Sequence, residues 1–338
     1  MNLRTSTTLA LGAMTLVAAG TASAQVSIYG IIDTSLRYQN NTNASTASDV
    51  SMQPGAYGAS RVGFRGREDL GNGLYSEFQL ENGFNPNTGA QVDSTRLFNR
   101  HSWVGLGSKD LGRISFGRQY ALTHEVLAMN MCDVLGVGGY DETAWFVGQQ
   151  YTLRYDNSIK YRHTIEGVQV GAMYVLSGEQ HIDDSYGLMA MIPVGPVDIG
   201  LSHHSDEALN GKRTTNLLAL KYRFDNGTTL HGYTMYSHDK RGVDRKDRLY
   251  ALGFIHPLNQ RFILSGTYYR NLTQTPDSGG RSTFVTRLQY ALSKRSELYL
   301  EADYSRVSGV TLSAFNQPGK VGSNNSRTTF SVGYKHMF

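Results

Sequence analysis

The chain has 338 residues, of which 40% are hydrophobic and 18% charged, and its mean hydropathy is −0.36. That average excludes a bundle of membrane-spanning helices, which would raise the mean hydropathy well above zero. The 32 Lys and Arg residues nearly balance the 28 Asp and Glu residues, and no clustered basic patch indicates nucleic-acid binding. One cysteine excludes a disulfide framework. With 37 glycines, 21 tyrosines and 7 prolines, the composition is typical of an all-β chain.

The first 24 residues have the pattern of a secretory signal peptide. Arg4 supplies the positive charge, residues 8–20 form a 13-residue apolar stretch, and Ala22-Ser23-Ala24 fits a cleavage site. The stretch is too short to span a bilayer as a helix. We therefore expect cleavage between Ala24 and Gln25 and one domain over 25–338.

The remaining chain alternates with period two. In residues 328–338, for example, Phe330, Val332 and Tyr334 share one face, while Ser331 and Lys335 lie on the other. Segments 217–224, 284–292 and 297–304 alternate in the same way, and all seven acidic and basic residues of the four segments lie opposite the apolar face. Such alternation predicts β-strands with one apolar and one polar side.

Turn signals divide these strands regularly. Seven short turns, six of which contain Gly, Asn or Pro, alternate with eight longer polar stretches, which predicts sixteen strands with short turns at one rim and long loops at the other. The short turns are 71–73, 108–112, 166–167, 193–196, 225–227, 257–260 and 293–296. The longer stretches are about 40–57, 84–95, 120–153, 178–184, 205–213, 238–246, 272–280 and 308–326.

A barrel in lipid explains the pattern better than a soluble sandwich. A sandwich must protect its edge strands with charges, bulges or proline. Here Pro193 and Pro257 fall at turns, and the apolar faces that can be phased from the sequence carry no charge. Arg or Lys on a lipid face costs about 2–4 kcal/mol at mid-membrane, which is enough to exclude it there. The fold class predicted is all-β, a sixteen-stranded antiparallel transmembrane barrel of the outer membrane.

Several sequence strings resemble one family. VSIYGIIDTSLRY (26–38), SRVGFRGREDLGNGLYSEFQLENGF (60–84), LFNRHSWVGL (97–106), LGRISFGRQY (111–120), RYDNSIKY (154–161) and FSVGYKHMF (330–338) together resemble the Gram-negative general porins, especially the beta-proteobacterial type. The resemblance covers essentially the whole mature chain. It implies a homotrimeric channel for passive diffusion of small hydrophilic solutes, surrounded by outer-membrane lipids and lipopolysaccharide. It also implies that the terminal Phe338 signals to the barrel-assembly machinery.

The third long stretch, about 120–153, is the longest. A loop of this length needs a functional reason, and the resemblance implies that it folds into the lumen and narrows it. Residues 123–136 could form a short helix. The candidates to face the channel are Glu125, Asp133, Asp141 and Glu142, although some of them could simply be solvated or cap the helix. Cys132, in the same stretch, is most simply a small buried hydrophobe.

The opposite wall should be basic. Arg61 and Arg100 match arginines that line the constriction in family members, and Arg37 and Arg154 are further candidates. Alternation along its strand puts Arg118 on the apolar face, so Arg118 is not counted among the constriction candidates. The remaining lumen-side bases are Lys160, Arg162, Lys221 and Arg223. Because bases outnumber acids at the neck, we expect a mild anion preference.

Three other functions remain open at this point. An outer-membrane enzyme would need a nucleophile oriented by a base, and the sequence has no Gly-x-Ser-x-Gly, His-Glu-x-x-His or paired-cysteine motif. A closed adhesive barrel would need eight to ten strands, since sixteen leave an aqueous channel. A substrate-specific channel would need an aromatic slide, to which Tyr75, Tyr269 and Tyr299 could contribute. We expect no enzyme activity, cofactor or metal site.

Overall fold

The structure is a computed structural model, and it describes residues 25–41, 47–55, 57–127, 150–177, 184–275, 278–309 and 325–338. These residues are almost entirely β-strand. Within them, no helix is long and apolar enough to cross a bilayer.

Seventeen strands and one helical turn make up this part of the chain. They are β1 (Gln25–Gln39), β2 (Asp49–Pro54), β3 (Arg61–Gly71), β4 (Leu74–Gly83), β5 (His101–Ser108), β6 (Gly112–Tyr120), α1 (Leu122–His124), β7 (Arg154–Ile165), β8 (Val168–Val175), β9 (Ser185–Val194), β10 (Val197–Ala208), β11 (Gly211–Arg223), β12 (Thr229–Asp239), β13 (Arg245–Pro257), β14 (Phe262–Gln274), β15 (Ser278–Ala291), β16 (Ser296–Gly309) and β17 (Ser326–Met337).

The strands close into an antiparallel barrel with sixteen staves. β1 pairs with β17 on one side, from Ile31 opposite Met337 to Gln39 opposite Thr329. On its other side β1 pairs with β3 through its first half and with β2 through its second half, so β2 and β3 together form one interrupted stave. All other neighbours follow the chain order. The predicted fold class and strand number are confirmed.

In the segments that alternate clearly, the polar face points inward. On β17, Thr329, Ser331 and Lys335 are buried, whereas Phe330 and Val332 are more than half exposed on the outside. The same parity holds in the other three segments on which the prediction was based. In this chain, therefore, the exposed apolar side chains form the outer surface of the barrel, and ion pairs fill much of its interior.

Two predicted loops differ in the structure. The stretch 40–57 contains β2, whose Val50 and Met52 point outward and whose backbone pairs with β1. The stretch 205–213 is a tight hairpin, because β10 and β11 continue to Ala208 and Gly211. Two of its charged residues, Asp206 and Arg213, face the interior, where they form an ion pair across the hairpin.

Candidate functional site

A cavity of about 1070 Å³ occupies the half of the lumen nearest the short turns. Nine lysine and arginine side chains line it, against three glutamates, Glu77, Glu81 and Glu125. The lumen is therefore strongly electropositive on this side.

Three of the predicted arginines lie close together, and two of them, Arg61 and Arg100, line this cavity. The Nε atom of Arg100 lies 2.7 Å from Oε1 of Glu81, and Nε of Arg61 lies 3.5 Å from the other carboxylate oxygen. Arg100 and Arg154 each donate a hydrogen bond to the hydroxyl of Tyr120, at 2.8 and 2.7 Å. We call Arg61, Arg100 and Arg154, with Glu81 and Tyr120, the basic cluster.

The charge of the cluster is held by its own members. Burial disfavours the charged form of Arg100. The interactions with the adjacent Tyr120 and Glu81 outweigh the effect of burial and raise the pKa of Arg100 above its usual value. Arg100 therefore remains a cation at every physiological pH. One carboxylate serves two guanidinium groups here, so the cluster keeps a net positive charge.

Arg37 lies apart from the basic cluster. It is buried on β1, where its guanidinium contacts Oγ1 of Thr329 at 3.3 Å and a carboxylate oxygen of Asp303 at 3.6 Å. Asp303 lies on β16 and Thr329 on β17. Both partners are therefore on the β17 side of β1, not on its β3 side. The structure thus brings together three of the four predicted arginines and places the fourth in a second ionic network.

Glu125 pairs with the wall next to it. Its carboxylate lies 2.5 Å from Nζ of Lys160 and also contacts the guanidinium of Arg162, both on β7. Two predicted lumen-side bases are therefore neutralised in part by this acid. Lys221 and Arg223 share Asp198 in a similar way. Asp133, Asp141, Glu142 and Cys132 lie outside the described residues.

Apolar packing holds the beginning of the third loop inside the barrel. Leu122, Val126 and Leu127 are fully buried against inward-facing apolar side chains of β8 to β15, among them Met235 and Leu249. These wall positions lie in strands whose alternation is ambiguous in the sequence, because both faces are apolar there. The inner face is apolar since it meets the loop, and the outer face because it points away from the lumen.

A buried polar network holds the end of the same loop. Asp206 accepts a 2.9 Å hydrogen bond from Nε of Arg213 and also accepts the hydroxyl of Tyr155, whose ring stacks on His204 at 4.6 Å. Thr152 joins through Arg213, at 2.6 Å. Both described ends of the loop are therefore fixed to the inner face of the wall.

A β-bulge in β7 directs this attachment. The pairing of β6 with β7 shifts register next to Gly117, and Asn157 takes a positive φ of 51°. Because of the extra residue, Tyr155 and Ser158 both face inward and are buried, whereas Asp156 faces outward. Arg118 pairs with this Asp156 at 2.6 Å, away from the lumen, as its strand parity predicts.

Both chain ends are predicted to carry signals. The structure describes Phe338 at the C-terminal end, but only Gln25 of the predicted cleavage site. Phe338 exchanges backbone hydrogen bonds of 3.0 and 3.1 Å with Gly30, and its ring covers that glycine on the outer surface. A Cβ atom on Gly30 would lie 2.3 Å from the ring, so only glycine fits. Gln25 is the first residue of β1, and Ala24 lies outside the described residues.

Sequence reasoning missed Glu81, Tyr120 and Asp206. Glu81 had a detectable signal, because it shares the inward parity of β4 with Glu77. Tyr120 and Asp206 had none, since their roles depend on side-chain contacts between strands. No group of His, Cys, Asp and Glu able to hold a metal ion occurs among the described residues.

Comparison with known proteins gives consistent matches along the chain. A family model described as Gram-negative porin matches residues 7–310. An outer membrane porin protein of Bordetella pertussis is 28% identical, over 95% of this chain and 96% of its own length. The anion-selective porin from Comamonas acidovorans superposes with a TM-score of 0.76 at 23% identity, covering 94% of this chain and all of the other. OmpT of Vibrio cholerae, in a trimer form, superposes with a TM-score of 0.69 at 13% identity, covering 93% and 99%.

Proposed function

The chain belongs to the Gram-negative porin family and forms a diffusion channel of the outer membrane, and we propose that its basic cluster gives this channel a preference for anions. The cluster carries three guanidinium groups and one carboxylate, and it borders a cavity where bases outnumber acids nine to three. That excess is the observation that carries the proposal. The anion selectivity of the Comamonas neighbour is consistent with it.

The mechanism is passive and electrostatic. Fixed charges between low-dielectric walls focus the field into the lumen, so an anion entering it is stabilised and a cation repelled. The arginines already have partners in Glu81 and Tyr120, so a passing anion makes only weak, short-lived contacts. Weak binding is what conduction requires, because a tightly held ion would block the channel.

The reversal potential in a tenfold KCl gradient tests this selectivity. The reversal potential of the wild-type channel should have the sign of the chloride equilibrium potential. Replacing Arg61 and Arg100 together by glutamine should move the reversal potential toward zero. The matched control is Arg118→Gln, because Arg118 faces outward and pairs with Asp156. Clear cation preference of the wild type would contradict the proposal.

The biogenesis expected from the sequence belongs to the same proposal. Residues 1–24 direct export, and cleavage after Ala24 leaves Gln25, the first residue of β1, as the new N-terminus. Recognition of Phe338 by the assembly machinery is supported by its exposure on the outer surface next to β1. Three copies assemble into a homotrimer, a state supported by the trimer form of the Vibrio cholerae neighbour. N-terminal sequencing tests the cleavage site, and the mass of the detergent complex tests the trimer.

An outward-facing basic patch provides a place for membrane lipids. On β13 to β16, the four charged residues that point outward are all basic, and all lie near the long-loop rim. The acids of these strands point inward. Among the described residues, none of the four pairs with a carboxylate. The members of this outer basic patch are Lys246, Arg248, Arg270 and Arg306.

Neighbouring aromatic residues place the patch at the membrane surface. Tyr250, Tyr268 and Tyr304 are the next outward residues toward the barrel middle on the three arginine-bearing strands, and each is nearly half exposed. Tyrosines mark the interface between hydrocarbon and headgroups. The arginines just above them therefore reach the headgroup level, where phosphate groups of outer-membrane lipids, including lipopolysaccharide, would balance their charge.

A further inference from the structure

The interruption between β2 and β3 places a short segment inside the barrel. After Pro54 the backbone leaves the wall, and it rejoins the wall at Arg61. The NH of Gly55 still donates to the carbonyl of Asp33, at 2.7 Å, and a Cβ atom at Gly55 would lie 2.4 Å from the Asp33 carboxyl carbon. Glycine thus permits the close approach at which the chain turns inward. We call residues 57–60 the inner segment.

Asp33 of β1 fixes the inner segment. One of its carboxylate oxygens accepts the backbone NH groups of Tyr57 and Gly58, at 3.1 and 2.6 Å, and the other accepts the hydroxyl of Tyr299, at 2.6 Å. The hydroxyl of Ser60 donates to the Asp33 carbonyl, at 3.1 Å. A single residue of the wall thereby holds both ends of the segment, so its position is defined.

Tyr57 lies against two cations of the inner wall. The centroid of its ring is 3.3 Å from Nζ of Lys335 and 4.2 Å from the guanidinium carbon of Arg287. The ring of Tyr299 meets it edge-on, with centroids 6.3 Å apart. Arg287 is 0% exposed and Lys335 7% exposed. A tyrosine ring attracts cations through its electron-rich face, so Tyr57 both stabilises and covers them.

Tyr57 also borders the cavity that contains the basic cluster. The inner segment and Arg61, Arg100 and Lys335 line the same space, and Arg61 donates to the carbonyl of Ala59 at 3.2 Å. The segment is therefore continuous with the candidate constriction. It borders the lumen on the β1 side.

We propose that Tyr57 is a specificity-determining residue of the channel, which narrows the lumen beside the basic cluster and screens Arg287 and Lys335 from passing solutes. This inference rests on the proposed channel function. It means that the pore has two inward elements, the third loop and the inner segment. It also means that part of the positive charge of the wall is withheld from the permeating ions.

Three substitutions separate the two effects of Tyr57. Tyr57→Ala removes both bulk and ring, so single-channel conductance should rise about 1.3-fold and the reversal potential should shift further toward chloride. Tyr57→Leu keeps much of the bulk but lacks the aromatic face, so the reversal potential should shift with little change in conductance. Tyr57→Phe keeps both properties and should match the wild type.

A second aromatic residue provides the control. Tyr75 stacks on Arg67, 3.5 Å from the guanidinium carbon to the ring centroid, and lines the same cavity nearer the short turns. Tyr75→Ala should change conductance and selectivity less than Tyr57→Ala.

The outcomes distinguish this inference from the channel proposal. If Tyr57→Ala and Tyr57→Leu both keep the conductance and reversal potential of the wild type, and the wild type prefers anions, the inference is overturned and the proposed function stands. A Tyr75→Ala effect as large as that of Tyr57→Ala would also overturn it. A wild-type protein without current or with cation preference would instead contradict the proposed function. If Tyr57→Ala fails to fold, an unshifted reversal potential in Tyr57→Leu overturns the screening role.

Discussion

Oε1 of Glu81 accepts a 2.7 Å hydrogen bond from Nε of Arg100, so the acid nearest the basic arginines stands on their own side of the lumen. Of the loop acids, the described Glu125 pairs with β7 and leaves Arg61 and Arg100 to Glu81. The net charge of the candidate constriction therefore depends on a wall residue.

Glu81→Gln should strengthen anion preference. The substitution removes the one carboxylate shared by Arg61 and Arg100, so a neutral amide faces two guanidinium groups. The chloride-to-potassium permeability ratio from reversal potentials should rise about twofold. Glu207→Gln is the control, since Glu207 lies at the long-loop rim of β10. A shift toward cations would show that Glu81 does not act on permeating ions.

Asp206→Asn should weaken the attachment of the third loop. Asp206 is 2% exposed and carries Arg213 and Tyr155, and removing one partner of a buried ion pair costs about 3–5 kcal/mol. The unfolding free energy in detergent should fall by that amount, and open-channel current should become noisier. Asp239→Asn, which breaks a more exposed pair with Arg241, should cost about 0–1 kcal/mol. Equal losses in the two variants would contradict this assignment.

His124 should make stability depend on pH. Burial, assisted by the nearby Arg154, Arg100 and Lys160, holds the pKa of His124 well below its usual value near 6.5. The native protein therefore keeps a neutral imidazole, 3.0 Å from the Tyr151 hydroxyl, while the unfolded chain takes up a proton. The contribution is complete above about pH 6.5 and is lost as the pH falls toward the native pKa, at about 1.4 kcal/mol per unit of pKa difference.

The measurement is the unfolding free energy between pH 7.5 and 5. The wild type should lose stability across this range, and His124→Gln should lose less. Parallel curves for the two proteins would assign the pH dependence to other groups.

The outer basic patch should make stability depend on lipid charge. Replacing Arg248, Arg270 and Arg306 by glutamine removes three outward cations, each worth about 1 kcal/mol beside an anionic surface. The melting temperature of the wild type should be higher in nanodiscs with phosphate-bearing anionic lipid than in neutral lipid, and the triple variant should lose most of this increment.

Lys212→Gln is the matched control for the patch. Lys212 also lies at the long-loop rim, but its cross-strand neighbour is Glu207. It should retain the lipid-dependent increment, and high salt should abolish the increment in the wild type. A triple variant that keeps the full increment would remove the patch as a lipid site.

The barrel could be predicted from sequence because lipid and water impose opposite demands on alternate residues. Phe330 and Lys335 differ in parity, and the structure places them on opposite sides of the wall. Arg61, Arg100 and Arg154 could be named as candidates because the strands that carry them have clear parity or resemble known strings. The grouping of Arg100 and Arg154 around Tyr120 was not predictable, since it depends on side-chain contacts that alternation along a strand does not record.

The misplaced features share a physical cause. Val50 and Met52 lie in a short strand surrounded by polar residues, so β2 resembled a loop. Asp206 and Arg213 resembled loop residues because they are charged, yet they face each other inside the lumen. In both cases a cross-strand partner decided the outcome, and local sequence does not record that partner.

The extra residue at Asn157 has a consequence for how this barrel tolerates change in length. Tyr155 and Ser158 are three residues apart, so a regular strand between them that kept Ser158 inward would turn Tyr155 outward and put the carboxylate of Asp156 in the lumen in place of the phenol. Insertions in the long loops alter no such phase. We therefore expect homologous chains to vary freely in loop length while keeping an unpaired residue at this point. That residue sets which side chains face the lumen where the third loop joins β7.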